Sequence, residues 1–227
     1  MTTLLIATRN RHKVQEIQTI LGNGFQCQTL DDFPGAPAVE EDAPTFAGNA
    51  TKKAVELARW LASAGRAEAA QFVLADDSGL EVDVLNGAPG VHSARFAARN
   101  GKPGNSPDEA NNEKLLRLLA HVPEEERKAR FRCVIALTPV PGTTDENSSP
   151  VCLADEAELT TEVFDGACEG RIDVMPRGNG GFGYDPLFVP NGFNQSFAEL
   201  GEATKNRLSH RAKALAKVKE WFRQRAG

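Results

Sequence analysis

The chain has 227 residues, 41% of them hydrophobic, enough to bury the core of one sizeable α/β domain or of two lobes about a shared sheet, and too apolar for a disordered chain. A formal net charge of −5 makes it a poor non-specific ligand for duplex nucleic acid, so any phosphate it binds must meet a local basic pocket. No apolar run is long enough to span a membrane, no signal-like segment opens the chain, and Cys27, Cys133, Cys152 and Cys168 are scattered, which predicts reduced thiols, no zinc site and a cytoplasmic protein with a small-molecule partner.

In chain order, residues 3–7 read as a short strand running into the polar turn Thr8-Arg9-Asn10-Arg11. A helix follows, with Val14, Ile17, Ile20 and Leu21 on one face. Residues 25–30 are predicted as a second strand, and the Pro/Gly-rich residues 31–39 as a loop ending in Glu40-Glu41-Asp42. Pro44 is predicted to open a long helix whose inner stripe is Phe46, Ala50, Ala54, Leu57, Ala58 and Leu61. Residues 72–75 form a buried strand that leads through Asp76-Asp77-Ser78-Gly79 to residues 80–84, its antiparallel neighbour or its continuation.

A loop at residues 86–90 precedes Ser106-Pro107-Asp108-Glu109, which predicts a helix with Ser106 as N-cap, Glu109 closing a capping box, and Leu115, Leu116, Leu118 and Leu119 buried. Residues 129–137 alternate Arg130 and Arg132 against Phe131 and Cys133, as a half-exposed strand does. Residues 138–150 read as a mobile surface hairpin, with further strands through 151–174. A Gly-rich stretch at 177–185 and a last helix at 211–225, with Leu215, Val218 and Phe222 inward, complete the chain. There is no internal repeat and no linker, so the expected fold is one mixed-sheet α/β domain over residues 1–227, in two lobes.

Four segments could carry chemistry. Asp76 and Asp77 are costly after a buried strand unless a positive charge shares the site, and Mg²⁺ suits such oxygen ligands. Gly79 would let the chain turn so that both acids line one pocket; the plain alternative is an acidic turn between strands. Thr8 to Lys13, at a strand end leading into a helix, can cradle phosphate, or Asn10 can simply cap the helix. Gly180-Gly181-Phe182-Gly183-Tyr184-Asp185 offers a stacking face and a fixed acceptor for a planar base, or a Gly-rich turn with core aromatics. Lys205 and Ser209-His210-Arg211 place donors where the last helix starts, with Ser209 as its N-cap.

In this order the segments resemble the inosine triphosphate pyrophosphatase family, which removes non-standard purine nucleoside triphosphates. The resemblance spans Ala7-Thr8 with Asn10 and Lys13, Glu41, Thr45-Phe46 with Asn49-Ala50 and Lys53, Ala75 to Leu80, Gly87 to Gly90 with Ser93-Ala94-Arg95, Gly180 to Pro186, and Ser209-His210-Arg211. Departures are Gly48, where family members often carry Glu, and longer stretches at 62–71 and 138–150.

The resemblance implies an elongated mixed sheet with flanking helices and a cleft between two lobes, a homodimer, and hydrolysis to a nucleoside monophosphate and pyrophosphate with one Mg²⁺ per subunit. It places Glu41 and Asp77 on the metal, with Asp77 also the proton acceptor. Thr8, Asn10 and Lys13, within a run that includes Arg9, Arg11 and His12, would hold phosphates with Lys53. Ser78, Phe182, Gly183, Tyr184, Asp185, Lys205, His210 and Arg211 would bind the rest of the substrate, base included. A buried donor from His210 or Arg211, aimed at a 6-oxo group, would reject adenine by facing its amino group. The competing expectations are a pyrophosphatase for modified pyrimidine nucleotides and a non-catalytic nucleotide sensor.

Overall fold

Alternating and continuous apolar runs become the strands of a six-stranded mixed sheet in a computed structural model that describes residues 1–98, 104–142 and 160–225. The strands are β1 (Thr2–Ile6), β2 (Phe25–Thr29), β3 (Phe72–Val82), β4 (Lys128–Pro139), β5 (Glu162–Ile172) and β6 (Phe188–Pro190), and the order across the sheet is β2-β1-β3-β4-β5-β6. β1 runs parallel to both β2 and β3, with Leu5 opposite Gln28 on one side and Val73 on the other. β5 and β6 are antiparallel, Ile172 facing Phe188. The helices are α1 (Arg11–Leu21), α2 (Phe46–Ser63), α3 (Asp108–Leu118), α4 (Phe197–Leu208) and α5 (His210–Arg225). None is long and apolar enough to cross a membrane among the described residues.

Contacts divide the chain into two compact units, Met1–Asp77 with Val134–Phe164, and Ser78–Cys133 with Asp165–Gly227. In the first, Leu4, Leu5 and Ile6 of β1 and Val73 and Leu74 of β3 are fully buried, with Ile17 of α1 and the whole predicted stripe of α2 from Phe46 to Leu61 also in the core. The second has its own core, in which Leu80, Val82, Leu115, Leu119, Phe131, Ile172, Leu187, Phe188 and Phe197 cluster. Phe131, Phe188 and Phe197 form a ring group with centroids 4.7–6.1 Å apart.

Several sequence expectations need correction. Asp76, Asp77, Ser78 and Gly79 do not form a turn: all lie inside the single strand β3, and residues 80–82 continue it. The acids need not turn out to solvent because lysines from the flanking helices meet them in place. The long helix starts at Phe46, capped by Thr45 whose side chain accepts the Gly48 N–H, not at Pro44. Ser106 does not cap α3: its own N–H donates to the Ala94 carbonyl, Pro107 takes the N-cap position without a side-chain bond, and Asp108 becomes the first helical residue. Leu118 is 47% exposed rather than buried. No sequence expectation covers α4, although Ser196 and Glu199 form a full capping box at its start; Gly201, at φ 75°, is non-helical and kinks it. Residues 143–150 of the expected hairpin, and 151–159 after it, lie outside the described residues.

Candidate active site

In the first unit, the turn from β1 into α1 is held by its own side chains. Thr8 Oγ1 accepts the Asn10 N–H and Asn10 Oδ1 accepts the Lys13 N–H, so Asn10 does cap the helix. Arg9 donates to the Ala36 carbonyl at 2.9 Å, and Arg11 and His12 are exposed on the first turn. Lys13 reaches across to β3 and pairs with the fully buried carboxylate of Asp76. Thus a lysine of the phosphate-cradle segment and the first acid of the pair meet.

The second acid meets α2. Asn49 and Lys53 stand four residues apart, hence on one face of the helix, and both are buried beside the apolar stripe. Asn49 Nδ2 donates to Asp77 Oδ2 at 3.0 Å while its Oδ1 accepts the Ala43 N–H at 2.9 Å. That one side chain ties the acidic loop to β3. Lys53 Nζ lies 2.7 Å from Glu41 Oε1, 2.7 Å from the Asp76 carbonyl and 4.0 Å from Asp77 Oδ1. Glu41 and Asp77, distant in sequence, therefore share one ammonium. Gly48 matters here: a Cβ on it would lie 2.8 Å from the Ala43 Cβ, so a larger residue at this place needs the loop to move.

Burial pushes the Asp77 carboxyl up to about 6; Lys53 and Lys13 oppose the rise, nearby Glu41 adds to it, and the Asn49 bond lowers it. A buried carboxylate that two lysines do not fully compensate suits a further cation. The described residues contain no group of three or more His, Cys, Asp or Glu side chains arranged to hold a metal. Two carboxylates alone fit Mg²⁺, which is ordinarily held by one or two protein carboxylates, with phosphates and water completing its shell. The donor set at Glu41 and Asp77 thus fits that ion.

In the second unit, Phe182 to Asp185 form a tight loop. Asp185 Oδ2 accepts the Phe182 N–H at 2.9 Å and pairs with Lys205 Nζ at 2.6 Å, both side chains almost wholly buried. Lys205 also sits 4.2 Å from the ring centroid of half-buried Phe182, a cation–π contact. Gly181, at φ +74°, passes so close to this carboxylate that a Cβ would lie 2.2 Å from Asp185 Oδ2. The Tyr184 hydroxyl donates to the Ser93 carbonyl at 2.9 Å, and burial raises its pKa, so it stays protonated.

At the start of α5, Ser209 Oγ accepts the Ala212 N–H, the capping expected of it. Arg211, 1% exposed, donates to Ser78 Oγ at 2.9 Å, and His210 stacks on Phe131 with rings 4.8 Å apart and 14° from parallel. This closeness depends on Gly166 of β5, where a Cβ would fall 2.1 Å from the His210 carbonyl oxygen and 2.7 Å from the Ala214 nitrogen.

The structure thus gathers Lys13, Lys53, Glu41, Asp76 and Asp77 into one cluster of the first unit. It gathers Phe182, Asp185 and Lys205 into one group of the second, and pairs Ser78 with Arg211. Sequence reading assigned no role to Asn49, although a polar residue within an apolar helical stripe and four before a lysine is a usable signal. Gly166 gave none, because its neighbour is a distant helix.

Residues 4–221 match the Ham1 family. Over 218 residues the chain is 46% identical to a protein of Desulforamulus reducens named dITP/XTP pyrophosphatase, covering 96% of this chain and 94% of that one. A protein of the same name from Shouchella clausii is 44% identical, covering 97% and 96%. The solved structure of a HAM1 protein from Coxiella burnetii superposes with a TM-score of 0.76 at 32% identity, over 99% of this chain and all of the other. With nearly its whole length matched in sequence and in fold, this chain belongs to the Ham1 family.

Proposed function

We propose that this protein is a nucleoside triphosphate pyrophosphatase that hydrolyses non-standard purine nucleotides such as dITP, ITP and XTP to the monophosphate and pyrophosphate, keeping deaminated purines out of DNA and RNA. The observation that carries the reading is the meeting of Glu41 and Asp77 on Lys53, with Lys13 on Asp76 beside it. Relatives sharing this chain's length and named dITP/XTP pyrophosphatase supply the substrate class.

Glu41 and Asp77 would hold Mg²⁺, which when bound neutralises charge on the triphosphate. Lys13, Lys53 and the α1 N-terminus with Thr8 and Asn10 bind the phosphate oxygens, with Arg9, Arg11 and His12 around them. Asp77 takes the proton of the attacking water as its oxygen bonds to the α-phosphorus and the bond to the leaving pyrophosphate breaks. A carboxyl raised by burial is a better proton acceptor near neutrality than an exposed one. Phe182 stacks on the base; Ser78, Gly183, Tyr184, Asp185, Lys205, His210 and Arg211 shape the site that receives it. A homodimer in the cytoplasm, where the nucleotide pool lies, belongs to the same reading.

The test is release of pyrophosphate from ITP, dITP, XTP, GTP and ATP, with Mg²⁺ and with EDTA. Selective, Mg²⁺-dependent release from the first three is expected. Equal turnover of ATP and ITP, or release of orthophosphate, would refute the assignment.

A further inference from the structure

The loop that carries Phe182 is gripped from outside by α3. Asp108 Oδ2 accepts the Gly183 N–H at 2.6 Å, and Asn112 Nδ2, one turn further along the helix, donates to the Gly183 carbonyl at 3.0 Å. Two side chains spaced four apart on one helix face therefore hold both polar groups of a single residue. Gly183 is at φ +63°, a conformation it adopts without strain, and no neighbour crowds the position of its missing Cβ. Sterics around Gly183 thus do not set this turn; the hydrogen bonds do.

The arrangement is poorly explained as core stabilisation. Asn112 is buried, and its Oδ1 has no hydrogen-bond partner among the described residues, so the amide gives up half its bonding capacity to reach Gly183. Neighbouring Asn111 is instead satisfied at both ends, accepting from Ala97 N–H and donating to the Ala94 carbonyl. A residue that accepts an unmet polar atom for one backbone bond is placed for that bond.

We propose that Asp108 and Asn112 are positioning residues for base selection: by clamping Gly183 they fix the angle and height of the Phe182 ring on which the base stacks. The loop is thus held at Phe182 by Asp185 and Lys205 and at Gly183 by α3, so the ring is tied on two sides. This rests on the reading of Phe182 as the base platform. Selection between purines that differ in one exocyclic group needs the base held in one register, so a loosened platform should blur discrimination more than it slows chemistry.

The experiment measures kcat and KM for ITP and GTP in Asp108→Ala, Asp108→Asn, Asn112→Leu, Glu109→Ala and Phe182→Leu, with melting curves for each. Clamping predicts that Asp108→Ala and Asn112→Leu lower the ITP-over-GTP preference about tenfold, chiefly through KM for ITP, with kcat within about threefold. Asp108→Asn, which keeps an acceptor for the Gly183 N–H, should retain the preference. Glu109→Ala, which removes the other first-turn acid of α3, should soften the melt only. If Phe182→Leu shifts the preference but Asp108→Ala and Asn112→Leu do not, the clamp has no such role. An equal fall in Glu109→Ala would reduce it to general helix stability and overturn it too. An unchanged preference in Phe182→Leu removes the platform reading itself, and the clamp with it. Should Asn112→Leu fail to fold, the Asp108→Ala and Asp108→Asn pair decides alone, since Asp108 is exposed.

Discussion

Both units pair lysines with aspartates or glutamates, but they bury them to different depths. In the second unit Lys205 and Asp185 are 4% and 2% exposed, and the pair is completed by a backbone N–H and an aromatic face. In the first, Lys53 is 10% exposed and its partner Glu41 35%, while the same ammonium stands 4.0 Å from Asp77. A sealed pair has no easy way to exchange partners and acts as a brace. An ammonium shared among carboxylates at the edge of solvent can be displaced or supplemented by another cation, which is what a metal-dependent phosphate chemistry requires. On the proposed reading the solvent-facing Glu41 marks where the first cluster is open to a cation, since Asp76 in that cluster is as deeply buried as Asp185.

The comparison breaks most visibly at Asp77. Asp77→Asn keeps the acceptor for Asn49 and removes a buried charge, so folding should survive. If Asp77 is the proton acceptor and a metal ligand, as proposed, turnover should fall about 10³–10⁴-fold. Pyrophosphate release measured beside nucleotide binding by calorimetry checks it; binding retained with turnover lost is the expected pattern.

Lys205→Met tests the brace. It leaves the Asp185 carboxylate buried without its ammonium, which costs about 3–5 kcal/mol and should appear as a large loss of stability in urea or heat. Removing both charges, in Lys205→Met with Asp185→Leu, should return most of that stability. Base preference should be impaired further in the double variant, because only there does the Phe182 N–H lose its acceptor. If the single variant is as stable as the parent, the pair is not a brace.

Lys53→Met should give the opposite balance. Its carboxylate partner Glu41 is partly hydrated while its bond to the Asp76 carbonyl is buried, so stability should fall by about 1–3 kcal/mol, less than in Lys205→Met. Activity should drop about 10²-fold if Lys53 also meets the substrate phosphates, as proposed. Excess Mg²⁺ should raise the melting temperature of Lys53→Met more than that of the parent, because Glu41 and Asp77 then lose the ammonium they share. Melting curves in EDTA and in Mg²⁺ read this directly.

What was legible in the sequence follows the same division. Local periodicity gave β1, α1, β2 and the α2 stripe to within a residue or two, because each is set by its own spacing of apolar side chains. The acid pair misled: Asp, Ser and Gly are turn formers in isolation, and only the arrival of Lys13 and Lys53 lets them stay inside β3. Ser106 misled in the same way, because α3 starts one residue later and Pro107 takes the N-cap position. Glu41 and Asp77 were expected together only through a family resemblance, since no spacing rule joins residues so far apart. Gly166 was invisible, as the helix it admits begins 44 residues later at His210.

The finest probe of the first cluster is Asn49, which carries no charge and yet connects the acidic loop to β3. Asn49→Ala removes the acceptor of the Ala43 N–H and the donor to Asp77 Oδ2 at once. Loss of one buried and one partly buried bond should cost about 1–3 kcal/mol of stability. If Asn49 only stabilises the loop, activity measured well below the melting temperature should be unchanged. If it also aims the Asp77 carboxylate and holds the Glu41 loop in reach, kcat should fall about tenfold and the Mg²⁺ needed for half-maximal rate should rise. Asn49→Asp sharpens the distinction, because it keeps an acceptor for Ala43 while setting a second carboxyl against Asp77. Restored stability with activity still low would assign to Asn49 the orientation of Asp77, and restored activity would assign it to the loop alone.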